Sequence, residues 1–568
     1  MDMFGIVARA PATCRPVRDP EDLSRSAGWP GQQIQRGVMG SLLQVLGLIV
    51  GVAAIAGLAR RLNASAPILL VVAGLAVSLI PGAPAYHLDP ELVLVLFLPP
   101  LVYSAAINSS LGAVRANARP IALLSVGLVA FTALVVTVVA KAVVPGLPWA
   151  AAVALGGILG PTDAVAAIAI ARRVGLPVRI VTILEGESLL NDATALVIYR
   201  VAVAAAVSGG VALSNIAWRL VVAVVGGVAI GLVAAYAITL IRRQTEDPLI
   251  ENTLSLLTPF LAYLPAEAIG ASGVLAVVVT GLRLSHDAPV LMSPAARLQE
   301  HAIWSVIDFL LEGIVFALIG LQLLDIISHL AGHSAPGLIA AAVAMTAAVV
   351  ISRYAWVFPA TYVPRWLSQR VRRRDPSPSW RVPATISWAG MRGVVSLAAA
   401  FALPLSANDG RPFPQRDVLI FLTLFVIVAT LVGQGFTMPH VVRWSGLRRD
   451  ETAELLAEAA AQQRAAKASL ERLDLLTTDE ETIAGVAEQL RERAEMRQLG
   501  AWERLGGGSG GTMGAETPTA TYRRLRLEML HAERQEFLAQ RNAGQISDDV
   551  LRRVQRDLDL EEAILNRG

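Results

Sequence analysis

A chain of 568 residues in which 54% of side chains are hydrophobic and only 16% charged keeps much of its length out of water, because soluble domains carry nearer about a quarter charged. Mean hydropathy is +0.56, and 48 Lys+Arg against 45 Asp+Glu leave a net charge of +3. The single Cys14 excludes an intramolecular disulfide or a cysteine cage. Arginines placed between apolar stretches argue against nucleic acid, and seven scattered His with no HExxH argue against a zinc enzyme.

Residues 1–38 carry Arg9, Arg15, Arg18, Arg25 and Arg36 without the apolar run of a signal peptide. They read as a disordered or non-native extension, with a natural start near Val38 or Met39. A cytoplasmic extension followed by a re-entrant first segment is the alternative. A spanning helix needs about 20 mostly apolar residues. Thirteen segments qualify: roughly 42–59, 67–81, 91–107, 120–140, 148–171, 179–207, 213–241, 248–264, 268–284, 302–324, 335–361, 382–405 and 415–442. They describe an all-α polytopic membrane protein whose domains are 39–442, within the membrane, and 443–568, a helical tail.

The loops between these segments alternate in charge. The first holds Arg60 and Arg61, the third Arg115 and Arg119, and the fifth Arg172, Arg173 and Arg179. The seventh has Arg242 and Arg243, the ninth Arg283 and Arg297, and the eleventh six arginines between Arg365 and Arg381. Even loops are nearly bare, with Lys141, Arg219, Arg411 and Arg416 the exceptions. Cytoplasmic loops are the positive ones, so the odd loops and the tail face the cytoplasm and the N-terminus lies outside a multi-pass inner-membrane protein. The arginines of 1–38 run against that orientation. In the tail, Thr478 with Glu481 fits a capping box, Ser547 before Asp548 and Asp549 opens a helix, and Gly506–Gly511 breaks the chain between them. Leu525, Leu527, Met529, Leu530, Val550, Leu551 and Val554 supply apolar faces for a solvated helical appendage.

Ionisable groups inside a bilayer are costly, which makes them functional candidates. In the fifth segment Gly156-Gly157-Ile158-Leu159-Gly160-Pro161-Thr162 leads into Asp163. Glycines and a proline there interrupt the helix, freeing carbonyls and helix ends for an ion. The plainer alternative is a kink with Asp163 capping the next half. In the sixth, Glu185-Gly186-Glu187-Ser188-Leu189-Leu190-Asn191-Asp192 puts three acids in eight residues. Ser188 and Asp192 share a helix face, as do Glu187 and Asn191, and they offer the hard oxygens a small cation needs. Packing alone is the alternative there. The twelfth contains Gly390-Met391-Arg392-Gly393, a second Gly-flanked break whose buried Arg392 requires an acid partner.

The stretches ILGPTDAVA, EGESLLNDATALVIY and SWAGMRGVVSLAAAFALP resemble the cation:proton antiporter family of bacterial NhaP-type proteins and animal sodium/proton exchangers, over residues 42 to 442. The resemblance implies about 13 transmembrane helices in inverted repeats with crossed broken helices, and a homodimer. It implies that Asp192 is the central ion and proton carrier. Asp163, the Thr162 backbone and Ser188 are implied as further ligands of sodium, lithium or potassium, with Asn191 shaping the site. Glu187 and Arg392 match a structural ion pair. No cofactor and no enzymatic activity are expected. Two departures stand out. Phe97-Leu98-Pro99-Pro100-Leu101-Val102-Tyr103-Ser104 has Ser104 where many relatives have an acid, and Ala164 replaces a frequent proline. Asp308 and Glu312, one turn apart, and Glu267 are candidates to line an access funnel or to serve structure.

The expected mechanism is competition of cation and proton for Asp192, with rocking exposing the site to either side. With Asn191 neutral the exchange would be electroneutral. Potassium in place of sodium, a cation channel, an enzyme and a sensor are the alternatives; no filter loop, nucleophile–base set or phosphate loop supports the last three.

Overall fold

The computed structural model describes residues 30–565 except 63–65, 81–94, 164–167, 169–174, 209–217, 220, 246, 331–333, 409, 448–450, 478–483, 506–517, 544 and 546–547. The chain divides into two units, Met1–Leu447 and Arg448–Gly568. Among the described residues there is no β-strand, only an isolated bridge between Ser406 and Pro412.

In the first unit the helices are α1 Pro30–Arg61, α2 Ala66–Ser78, α3 Leu98–Ile107, α4 Leu111–Ala116, α5 Ala118–Val143, α6 Trp149–Leu159, α7 Val178–Ser208 and α8 Val222–Arg242. They continue with α9 Pro248–Ala268, α10 Gly273–Leu291, α11 Pro294–His329, α12 Ala335–Leu367, α13 Gln369–Arg374, α14 Arg381–Trp388, α15 Val394–Phe401 and α16 Arg416–Ser445. Helix lies in each of the thirteen apolar segments. Eight helices among the described residues are long and apolar enough to cross a membrane, and α2, α3 and α6 are shorter apolar helices.

Local chemistry sets many of the ends. Ser110, Asp247, Ser272 and Ser368 each accept a backbone N–H at a helix start, with Pro248 in the first turn of α9. Within α5 the turn Leu123–Leu128 is π-helical, and Trp356 of α12 donates to the Leu123 carbonyl at 2.9 Å. Small residues let helices approach closely, as lipid-embedded bundles require. A Cβ on Gly74 would lie 2.3 Å from the Ala317 carbonyl, and one on Gly320 2.1 Å from that of Val71, so α2 and α11 touch backbone to backbone. A Cβ on Gly157 would lie 2.8 Å from the Tyr199 nitrogen, which brings α6 onto the helix carrying Asp192.

Two expectations shift. Helix α1 begins at Pro30, inside the stretch read as disordered, while residues 1–29 lie outside the described ones. Helix α16 continues to Ser445, so the first unit ends at Leu447 and not at 442.

The second unit holds α17 Glu451–Thr477, α18 Ala484–Leu505, α19 Pro518–Asn542 and α20 Asp548–Leu565. Leu530 of α19 and Leu551 and Leu558 of α20 are buried. Arg526 binds both oxygens of Glu561, at 2.7 and 2.8 Å, fixing that hairpin at its rim. The capping residues Thr478, Glu481 and Ser547 and the Gly506–Gly511 break fall outside the described residues.

Candidate functional site

The two Gly-flanked interruptions meet. Helix α6 stops at Leu159, because Pro161 has no N–H with which to continue the ladder. Helices α14 and α15 are separated by the non-helical run 389–393. The Asp163 N–H donates to the Met391 carbonyl across the gap at 2.9 Å, and the Arg392 side chain donates to the Gly160 carbonyl at 2.7 Å. The Arg392 N–H is taken by the Thr430 hydroxyl of α16 at 3.1 Å. Gly393 has no room for more than hydrogen: a Cβ there would lie 1.8 Å from Oδ2 of Asp163.

Helix α7 lies against this crossing. Asn191, fully buried, donates to both the carbonyl and the hydroxyl of Thr162, each at 2.9 Å, and that hydroxyl donates to Glu187 at 2.8 Å. Asn191 thus holds Thr162 in place, while its own Oδ1 is buried without a donor. Asp192 is buried at 7% exposure, one turn from half-buried Ser188, and close enough to half-buried Asp163 for their charges to interact. The structure therefore gathers Thr162, Asp163, Ser188, Asn191 and Asp192 around one crossing.

The expected Glu187–Arg392 pair is not the one that forms. Arg353 of α12 takes Glu187, with Nη2 2.9 Å from Oε2 and Nη1 on Oε1. Its Nε donates to the Ile386 carbonyl at 3.1 Å. Arg392 spends its guanidinium on the backbone carbonyl of the opposite break, and its buried Nε has no acceptor. Arg353 is not among the candidates read from the sequence. A lone arginine in the middle of the apolar run 335–361 is the signal that could have found it.

Other charged residues pair away from the crossing. Asp375 accepts from Arg365 at 2.6 Å, Arg179 at 2.8 Å and Arg119 at 3.4 Å, joining the eleventh, fifth and third loops. Burial alone would raise the Asp375 carboxyl, but the hydrogen bond from Arg179 and the three guanidinium charges hold it below the usual carboxylate range. Arg200 of α7 pairs with Glu267 at the end of α9 at 2.8 Å, and Glu267 also accepts the Gly273 N–H at 3.0 Å. Ser104 donates to Asp308 of α11.

A helix that stops at Leu159 and a second one broken at 389–393, meeting beside a buried carboxylate in a unit whose described residues are helical and span a membrane, define the class of ion-coupled membrane transporters. The chain belongs to the sodium/hydrogen exchanger family, whose transmembrane domain matches residues 48–444. An uncharacterized Na(+)/H(+) exchanger of Mycobacterium bovis is 37% identical over 530 residues, covering 92% of this chain and 96% of the relative. A sodium, potassium, lithium and rubidium/H(+) antiporter of Bacillus subtilis is 34% identical over 386 residues, 66% of this chain and 57% of its own. Among solved structures, the sodium proton antiporter of Methanocaldococcus jannaschii superposes with a TM-score of 0.57 at 18% identity, covering 71% of this chain and 98% of its own; the fold is shared.

Proposed function

We propose that the chain exchanges sodium, or another monovalent cation, for protons across the inner membrane, and that the two compete for Asp192. The observation that carries this reading is the burial of Asp192 and the closeness of Asp163, with no basic side chain hydrogen-bonded to Asp192 among the described residues. Two carboxylates in one low-dielectric site repel unless a cation or a proton neutralises them, and one neutraliser displaces the other. Oxygens from Asp163, Ser188 and Thr162 complete a shell for a hard monovalent ion, which is cargo and not a resident cofactor. Asn191 positions Thr162 and adds no charge, so one cation moves against one proton and the exchange is electroneutral. Rocking of the crossed helices then presents the site to either face. The Bacillus subtilis relative is named for sodium, potassium, lithium and rubidium alike, so potassium belongs among the ions tried. A homodimer with its tail in the cytoplasm, as the loop charges indicate, completes the reading.

Dequenching of a pH-gradient dye in everted vesicles, on adding each cation in turn, tests it. Asp192→Asn is expected to abolish cation-dependent proton flux at normal expression. Substantial flux in that variant removes Asp192 as the carrier, and a large non-saturating current in place of exchange points to a channel.

A further inference from the structure

We propose that Asp308 is a cation-coordinating carboxylate of the transport path, positioned by the Ser104 hydroxyl, and that it supplies from α11 the negative charge that position 104 on α3 lacks. This rests on the antiporter reading and deepens it.

Helices α3 and α11 are fixed in register by Tyr103, fully buried, whose ring centroid lies 5.1 Å from that of Trp304. One residue further along α3, and one turn further along α11, the buried Ser104 hydroxyl donates to Oδ2 of Asp308. The other oxygen, Oδ1, is buried and accepts nothing, and no basic side chain pairs with Asp308 among the described residues. A carboxylate oxygen left bare in the membrane interior is costly, and a small monovalent cation is a ligand that satisfies it. Glu187, by contrast, has both of its oxygens spent on donors. Asp308 also continues toward the crossing. Glu312 stands one turn further along α11, the helix that packs against α15 at the second break.

Half-saturating sodium is measured by vesicle flux, and by sodium-dependent thermal stabilisation of the purified protein, in wild type, Asp308→Asn, Ser104→Ala and the double variant Ser104→Asp with Asp308→Asn. Losing one charged ligand raises half-saturation about tenfold in Asp308→Asn. Ser104→Ala raises it less, and the double variant, which returns the charge from the other helix, falls back toward wild type. Unchanged half-saturation in Asp308→Asn overturns the proposal, and so does a double variant no better than the single one. Where Asp308→Asn does not accumulate, Asp308→Glu decides. Displacing the oxygen by one methylene changes the sodium-to-lithium ratio of half-saturation about twofold or more, and an unchanged ratio overturns the proposal. Flux retained in Asp192→Asn, or absent from wild type, strikes the antiporter reading instead, and the stabilisation assay still reads Asp308 directly.

Discussion

Arg353 donates through both terminal nitrogens to the two carboxylate oxygens of Glu187, 166 residues earlier in the chain, and both side chains are 2% exposed. The pair ties α12 to the helix that carries Asp192, and through the Thr162 hydroxyl it reaches the first helix break. Removing one member of such a pair strands a buried charge, at about 3–5 kcal/mol. Glu187→Gln and Arg353→Ala are therefore expected to melt well below wild type in detergent, with the exchanged pair Glu187→Arg/Arg353→Glu recovering part of the loss. Arg392→Ala removes a charge bonded to a carbonyl and is expected to cost less. An Arg353→Ala protein as stable as wild type, beside an unstable Arg392→Ala, would return the partnership to Arg392.

Gly393 makes a sharper claim about the crossing itself. A methyl group there meets Oδ2 of Asp163 at 1.8 Å, a separation that no rotamer of alanine can relieve. Gly393→Ala must push the two breaks apart or turn Asp163 aside, at about 1–3 kcal/mol for overpacking. Transport is expected to fall by at least about tenfold in protein that still inserts and folds. Gly485→Ala, in the tail where a Cβ has open space, is the control. Normal flux through Gly393→Ala would mean that Asp163 does not hold this position during exchange.

Much of this arrangement is legible in the sequence, for a physical reason. Glycine and proline clusters break helices wherever they fall, so the interruptions at Gly160–Pro161 and Gly390–Gly393 can be read locally, as can the acids of 185–192. Pairing is different. Glu187 has two buried arginines within reach of its charge, Arg353 and Arg392, and only the packing of α12 on α7 decides between them. The Ser104–Asp308 and Arg200–Glu267 contacts are hidden for the same cause, since their partners lie 204 and 67 residues apart. Helix α1 misleads in another way. The residues before Met39 are too polar to look like a span, yet an apolar helix extends backwards through them once begun, because propagation is easier than nucleation.

Asp375 gives the structure a pH signature. Its folded pKa lies below the unfolded value, so the stability it contributes is present above the unfolded pKa and disappears as pH falls through the folded one. Asp375→Asn leaves Arg119, Arg179 and Arg365 facing one another without a counter-charge. Thermal unfolding is expected to show the variant below wild type by a constant margin from about pH 5 to 8, and the margin should close below about pH 4. A margin that persists in acid would assign the effect to lost packing. With the Arg179 and Arg119 side chains 55% and 34% exposed, solvent screening keeps the margin modest.

Helix α12 provides the test of orientation. Its 33 residues span about 50 Å at about 1.5 Å each, more than the roughly 30 Å of a bilayer's hydrocarbon core, so its two ends open on opposite sides. At one end, the loop after Arg365 supplies Asp375 to arginines of the third and fifth loops, which shows that these odd loops share a face. Arg242 and Glu300 do the same for the neighbourhood of the seventh and ninth loops, at 3.4 Å. Towards the far ends of α7 and α9, the helices that lead into the sixth and eighth loops, Arg200 meets Glu267. Because the arginine-rich face is the one retained in the cytoplasm, reporters fused after Arg374 and within the tail are expected to read cytoplasmic, and one near Leu330 external. A cytoplasmic signal at Leu330 together with an external one at Arg374 would invert the protein. Agreement between Leu330 and Arg374 would instead mean that α12 does not cross, which its length and its apolar surface oppose.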